Sequence, residues 1–164
     1  MPAVYFRIFP VELKMKMARF FVIIVCISFI GSTYAAEHVV KGVVTKWRPM
    51  ITFAEPGDTV RFTGMIGHNT VVIPGMIPED AVGWDSKYGE ENFTITVTEE
   101  GAYIFKCTPH ITTGMVGAIV VGNAQLPQNL SLIEESLAKV TIGKRMVART
   151  IKKMKSAVLA RSVN

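Results

Sequence analysis

Short runs of alternating apolar residues, none longer than seven positions, recur along the middle of this chain. They are Val39–Thr45, Met50–Phe53, Thr59–Thr63, Thr70–Ile73, Phe93–Thr98, Tyr103–Lys106 and Val116–Val121. Side chains of a strand point alternately to the two faces of a sheet, so runs of this period form strands with one buried face. Turn signals such as Pro56-Gly57-Asp58 and Glu99-Glu100-Gly101 separate them. Seven or eight such strands predict a mainly β fold, a two-sheet Greek-key β-sandwich. Val60 and Phe62 share one face of their strand, and Phe93, Ile95 and Val97 one face of theirs, which supplies a core.

The pattern changes after Asn123. Ser131-Leu132-Ile133-Glu134 has the form of a capping box and predicts a helix reaching about Val140. Gly143 separates it from a second helix, Lys144 to Ala160, in which Val147, Ile151, Met154 and Val158 make one apolar stripe. The stripe is expected to pack on the sandwich. Residues 124–164 carry eight basic against two acidic side chains, whereas 36–123 carry six against ten. That basic face reads as a solvated helix surface balancing an acidic sandwich, and not as a nucleic-acid site.

At the other end, Lys14, Lys16 and Arg19 precede an apolar stretch from Phe20 to Ile30 and the small residues Ser32 to Ala36. This is the arrangement of a secretory signal peptide, and its core is shorter than the roughly 20 residues a spanning helix needs. The expected organisation is therefore a signal peptide over 1–35, a sandwich domain over 36–123 and a helical extension over 124–164. Export to the periplasm, a soluble monomer and no stable membrane insertion follow. His38, three residues from the expected cleavage point, reads as the start of the first strand in preference to an amino-terminal metal site.

After cleavage one cysteine remains, Cys107. A lone thiol in an oxidising compartment has no internal disulfide partner, and metal ligation gives it a role. It stands in Cys107-Thr108-Pro109-His110-Ile111-Thr112-Thr113-Gly114-Met115, between two strand-like runs, and His68 opens another strand 39 residues upstream. A thiolate, two imidazoles and a thioether make the trigonal His2Cys set with a weak axial Met that suits copper cycling between Cu(I) and Cu(II). Zinc is the rival ion, but its structural sites favour several thiolates and rarely a thioether.

At these residues the chain resembles the cupredoxins, and within them the pseudoazurins. The spacing C-x2-H-x4-M, the segment GHNTVVIPGMIPEDAVGW and the helices after the last strand carry the resemblance. It implies one type 1 copper per chain held by His68, Cys107, His110 and Met115. It also implies that Asn69 steadies the ligand loops, with Pro109 as the loop proline beside the second histidine. The chain departs from the family at Ile111, Thr112 and Thr113, where an aromatic and a methionine are usual, and at Ile66, where lysine is common. The function implied is electron transfer between redox proteins such as a periplasmic reductase, dehydrogenase or cytochrome, without enzymatic activity. A copper-delivery protein is the alternative. An acidic partner surface is expected to meet an apolar patch of Pro109, Ile111 and Met76 flanked by Lys87 and Lys106, and charge reversal in the basic helix is expected to matter less if that helix lies far from the copper end.

Overall fold

Alternation along the chain becomes two four-stranded sheets in the computed structural model, which describes residues 34–122 and 126–162. The first sheet contains β1 (Glu37–Val43), β2 (Lys46–Arg48), β4 (Thr59–Thr63) and β6 (Phe93–Thr96) in the order β2-β1-β4-β6. The second contains β3 (Ile51–Ala54), β5 (Val71–Val72), β7 (Gly101–Lys106) and β8 (Val116–Val121) in the order β3-β8-β7-β5. β1 runs parallel to β4 and β3 parallel to β8, while the other neighbours are antiparallel. Residues 1–33, which hold most of the expected signal peptide, lie outside the described residues.

Period two is clearest in β4, where Val60 and Phe62 are fully buried and their neighbours only partly so. β7 and β8 break that rule, being buried on both faces. Tyr103, Phe105, Ile119 and Val121 point between the sheets, joining Trp47, Phe62 and Val40. Ala102, Ile104, Ala118 and Val120 point the other way, into a second apolar layer with Ile133, Val147, Ile151, Met154 and Val158. The second layer exists because two helices cover the outer face of that sheet: α1 (Leu130–Leu137) and α2 (Lys144–Ser162). A strand covered on both sides reads as a continuous hydrophobic run, as Val116–Val121 does.

The stripe Val147, Ile151, Met154 and Val158 is the buried side of α2, and Gly143 precedes the helix with φ +69°. The capping-box reading fails. Ser131 lies inside α1, whose N-cap is Asn129, and no side chain caps the helix. The Asn129 side chain instead accepts from Ala102 N at 2.9 Å and donates to Ala102 O at 2.8 Å, pinning the start of α1 to the edge of β7. A tertiary contact has replaced the local cap. β2 also escaped the sequence reading: it is a three-residue strand reached through Val44 at φ +55°, with no glycine or proline to mark the turn. No helix among the described residues is long and apolar enough to cross a membrane.

Candidate metal centre

β7 and β8 are adjacent antiparallel strands, so the segment between them closes on itself. Cys107 N donates to Met115 O at 2.9 Å, and Met115 N donates to His110 O at 3.1 Å. Inside this ring Ile111–Thr113 forms one turn of 3-10 helix ending at Gly114, whose φ of +96° turns the chain back toward β8. Cys107 and Met115 thereby face inward, fully buried, while His110 is only partly covered.

His68 comes from the loop joining β4 to β5 and is 7% exposed. That loop is held by a group the sequence did not reveal. The Glu91 carboxylate accepts from the amides of Gly64, Met65 and Ile66 at 3.1, 2.8 and 3.0 Å, and Gly89 N donates to His68 O at 2.8 Å. Beyond it, Trp84 Nε1 donates to Thr70 Oγ1 at 3.0 Å and Thr70 N to Ser86 Oγ at 2.9 Å. The strap 84–91 thus sets where His68 stands. Gly42 is the second unforeseen contributor: a β-carbon there would stand 2.7 Å from Gly64 O, 3.1 Å from His68 Cδ2 and 3.4 Å from Met115 Cε. The missing side chain lets β1, the His68 ring and the Met115 methyl meet at one point. Nothing local in the sequence marks either residue, because each acts across a long chain separation.

The donor atoms of His68, Cys107 and His110 converge within 4.8 Å of one another. His68 Nδ1 and His110 Nδ1 are 3.1 Å apart, and Cys107 Sγ lies 3.6 and 3.5 Å from them. The centre of a triangle with these edges is about 2.0 Å from each corner, close to the bond lengths of a first-row ion to imidazole nitrogen. Two ring nitrogens and a sulfur facing one point, with a thioether-bearing residue buried in the same loop, fit copper better than an ion preferring oxygen.

Burial lowers the His68 pKa, helped by the neighbouring His110, so its ring is held neutral and its lone pair stays available. Burial raises the Cys107 pKa, against the opposing effect of the Asn69 and His110 amides that donate to the sulfur. A cation at the centre of the triangle offsets that burial cost by favouring the thiolate.

On the surface around His110 two expectations change. Met76 is fully buried in the second apolar layer and Ile111 is 5% exposed, so neither belongs to an outer patch. Ile111 turns inward because α2 begins beside it: a β-carbon at Gly143 would stand 2.7 Å from Ile111 Cγ1. Exposed apolar side chains on the loops that carry the donors include Ile66 at 83%, two residues before His68, and Pro109 beside His110. The basic helix is not remote either, since Met146 and Arg149 of α2 border the same groove as Thr113 and Gly114. His38 is the second residue of β1 and places Nε2 2.8 Å from Asp58 Oδ2.

The model of copper-binding proteins of the plastocyanin/azurin family matches residues 37–122. Pseudoazurin from Paracoccus pantotrophus is 44% identical over 85 residues, a match covering 51% of this chain and 57% of that protein. The chain thus spans just over half the length of that relative. A pseudoazurin homologue of Rhizobium leguminosarum bv. viciae is 34% identical over 125 residues, covering 72% of this chain and 80% of its own. The solved structure of a Sinorhizobium pseudoazurin superposes with a TM-score of 0.63 at 32% identity, covering 74% of this chain and 98% of that one. The chain belongs to the plastocyanin/azurin family of copper-binding proteins, and within it to the pseudoazurins.

Proposed function

We propose that this protein is a soluble periplasmic electron carrier. His68, Cys107, His110 and Met115 would hold one copper, which would supply a one-electron Cu(II)/Cu(I) couple for transfer between redox proteins. The observation that carries the reading is the donor triangle itself, closed by chain segments that leave little freedom for its corners to move. Cys107 and Met115 are sealed from solvent, His68 is braced through Glu91 and Gly89, and the Asn69 side chain bonds the Cys107 loop directly. A cage that keeps its shape in both oxidation states keeps the reorganisation of each electron transfer small. Partly covered His110, next to exposed Pro109, offers the short route outward.

Copper delivery calls for an exchangeable site, and a sealed thiolate and thioether argue against it. Voltammetry of the copper-loaded mature protein tests the assignment. Reversible one-electron cycling with the metal retained is expected, whereas loss of copper on reduction, or ready transfer of it to an acceptor, would favour delivery. Export rests on the amino-terminal charge and hydropathy pattern and on the periplasmic residence of pseudoazurins; amino-terminal sequencing of the secreted protein is its test.

A further inference from the structure

A groove of about 430 Å³ runs between the β2–β3 segment and α2, and its end is formed by Thr113 and Gly114 of the metal loop. Lys46 and Arg48 line it from one side and Arg149 and Lys153 from the other, and no acidic residue takes part. Of the other α2 cations two are matched by carboxylates: Lys155 Nζ lies 2.8 Å from Glu134 Oε1 and Arg161 Nη2 3.9 Å from Glu55 Oε1. The four groove cations have no such partner among the described residues. Arg149 and Lys153 are four apart on the helix, a spacing at which like charges repel. Trp47, 1% exposed, also lines the groove, and its buried Nε1 has no hydrogen-bond acceptor among the described residues.

A cleft lined by one sign of charge concentrates the opposite ion. Two guanidinium forks suit oxygens presented in pairs, as phosphate and carboxylate groups present them, and the two lysines add charge without demanding direction. The volume is in the range of small-molecule sites and exceeds what a single inorganic ion fills. We infer that this groove binds a small anion bearing two or more oxyanion groups, held by Lys46, Arg48, Arg149 and Lys153 against the flank of the metal loop. Nothing in the donor cage is needed to form it. Because Gly114 precedes Met115, the bound anion places negative charge on the flank of the loop that carries Met115.

Titrating the 15N-labelled reduced copper protein with inorganic pyrophosphate, and separately with citrate, tests this, with potassium chloride holding ionic strength constant. Saturable shifts at the Trp47 indole N–H, Thr113, Gly114 and Arg149 are expected, and the tighter anion identifies phosphate or carboxylate as the preferred chemistry. The double variant R48Q/R149Q should weaken binding at least tenfold, while K152Q, on a different face of the helix, should leave it unchanged. The metal-free protein repeats the titration, so the result is independent of which ion the donor cage takes. Non-saturating shifts with both anions, or equal weakening in K152Q and R48Q/R149Q, overturn the inference.

Discussion

Asn69 and Thr108 are joined twice across the two metal loops: Thr108 N donates to Asn69 Oδ1 at 2.8 Å, and Asn69 Nδ2 donates to Thr108 Oγ1 at 3.1 Å. These residues are the immediate neighbours of His68 and Cys107, so the pair fixes the separation of imidazole and thiol from outside the donor set. Removing such a support typically weakens a metal site by about 10- to 100-fold. Asn69→Ala is expected to release copper to a competing chelator about tenfold faster. Thr108→Ala, which keeps the stronger amide bond, should do so much less. Equal release from the parent and both variants would show that the bridge supports nothing.

Gly42→Ala places a methyl group against Gly64 O and the His68 ring. Neither neighbour is free to retreat, since Gly64 is tied to Glu91 and the ring is packed. Overpacking of this kind costs roughly 1–3 kcal/mol. Thermal unfolding of the metal-free variant should show a loss of that size, with a displaced visible band in the copper form. A parental melting curve and spectrum would mean that β1 does not press on the site.

The strands that were legible in sequence are those whose burial follows a strict period, such as Thr59–Thr63. Val116–Val121 was expected as one of the alternating runs, and the strand is there but buried on both faces. β2 was not, because three residues carry too little pattern and its turn uses Val44. The parallel partnership of β1 with β4 lies between separated segments, and nothing local records it. The convergence of His68, Cys107 and His110 could be expected because few residue types bind copper and Cys107, His110 and Met115 share nine positions. Glu91 and Gly42 could not, as one works through backbone amides 25 to 27 residues away and the other by lacking a side chain. Met76 and Ile111 were misplaced on the surface for want of one piece of information: which face of the sheet the helices cover.

Asp58 is 5% exposed, and its carboxylate accepts from Glu55 N at 2.8 Å, His38 Nε2 at 2.8 Å and Ala36 N at 2.7 Å. The Glu55 amide and then the His38 bond hold its pKa below the ordinary value, outweighing the opposing effect of burial. A depressed folded-state pKa contributes stability above the unfolded pKa, near 4, that is lost as pH falls through the folded one. The stability of the parent measured by chemical denaturation should therefore fall below about pH 4. Asp58→Asn should lose roughly 1–3 kcal/mol at neutral pH and show a flatter acid limb. Parallel acid limbs would assign the acid sensitivity to other groups.

Charge at the docking face is expected to act on encounter rate and not on the electron-transfer step itself. Lys106→Glu and Lys87→Glu should slow association with the physiological partner and flatten its salt dependence. Lys153, in the groove beside the metal loop, should matter more than Lys152 on a different face. Stopped-flow rates across ionic strengths measure this. A larger loss from Lys152→Glu than from Lys106→Glu would move the docking face to the far side of α2.

The visible absorption spectrum of the copper-loaded mature protein bears most directly on the thiolate-bound copper. Cys107 bound to Cu(II) produces an intense sulfur-to-copper charge-transfer band that bleaches on reduction and returns on reoxidation. Cys107→Ser, nearly the same size but without the soft donor, should be colourless even where Cu(II) stays weakly attached. A parent protein that binds copper without the band, or a Cys107→Ser protein that keeps it, would contradict the account.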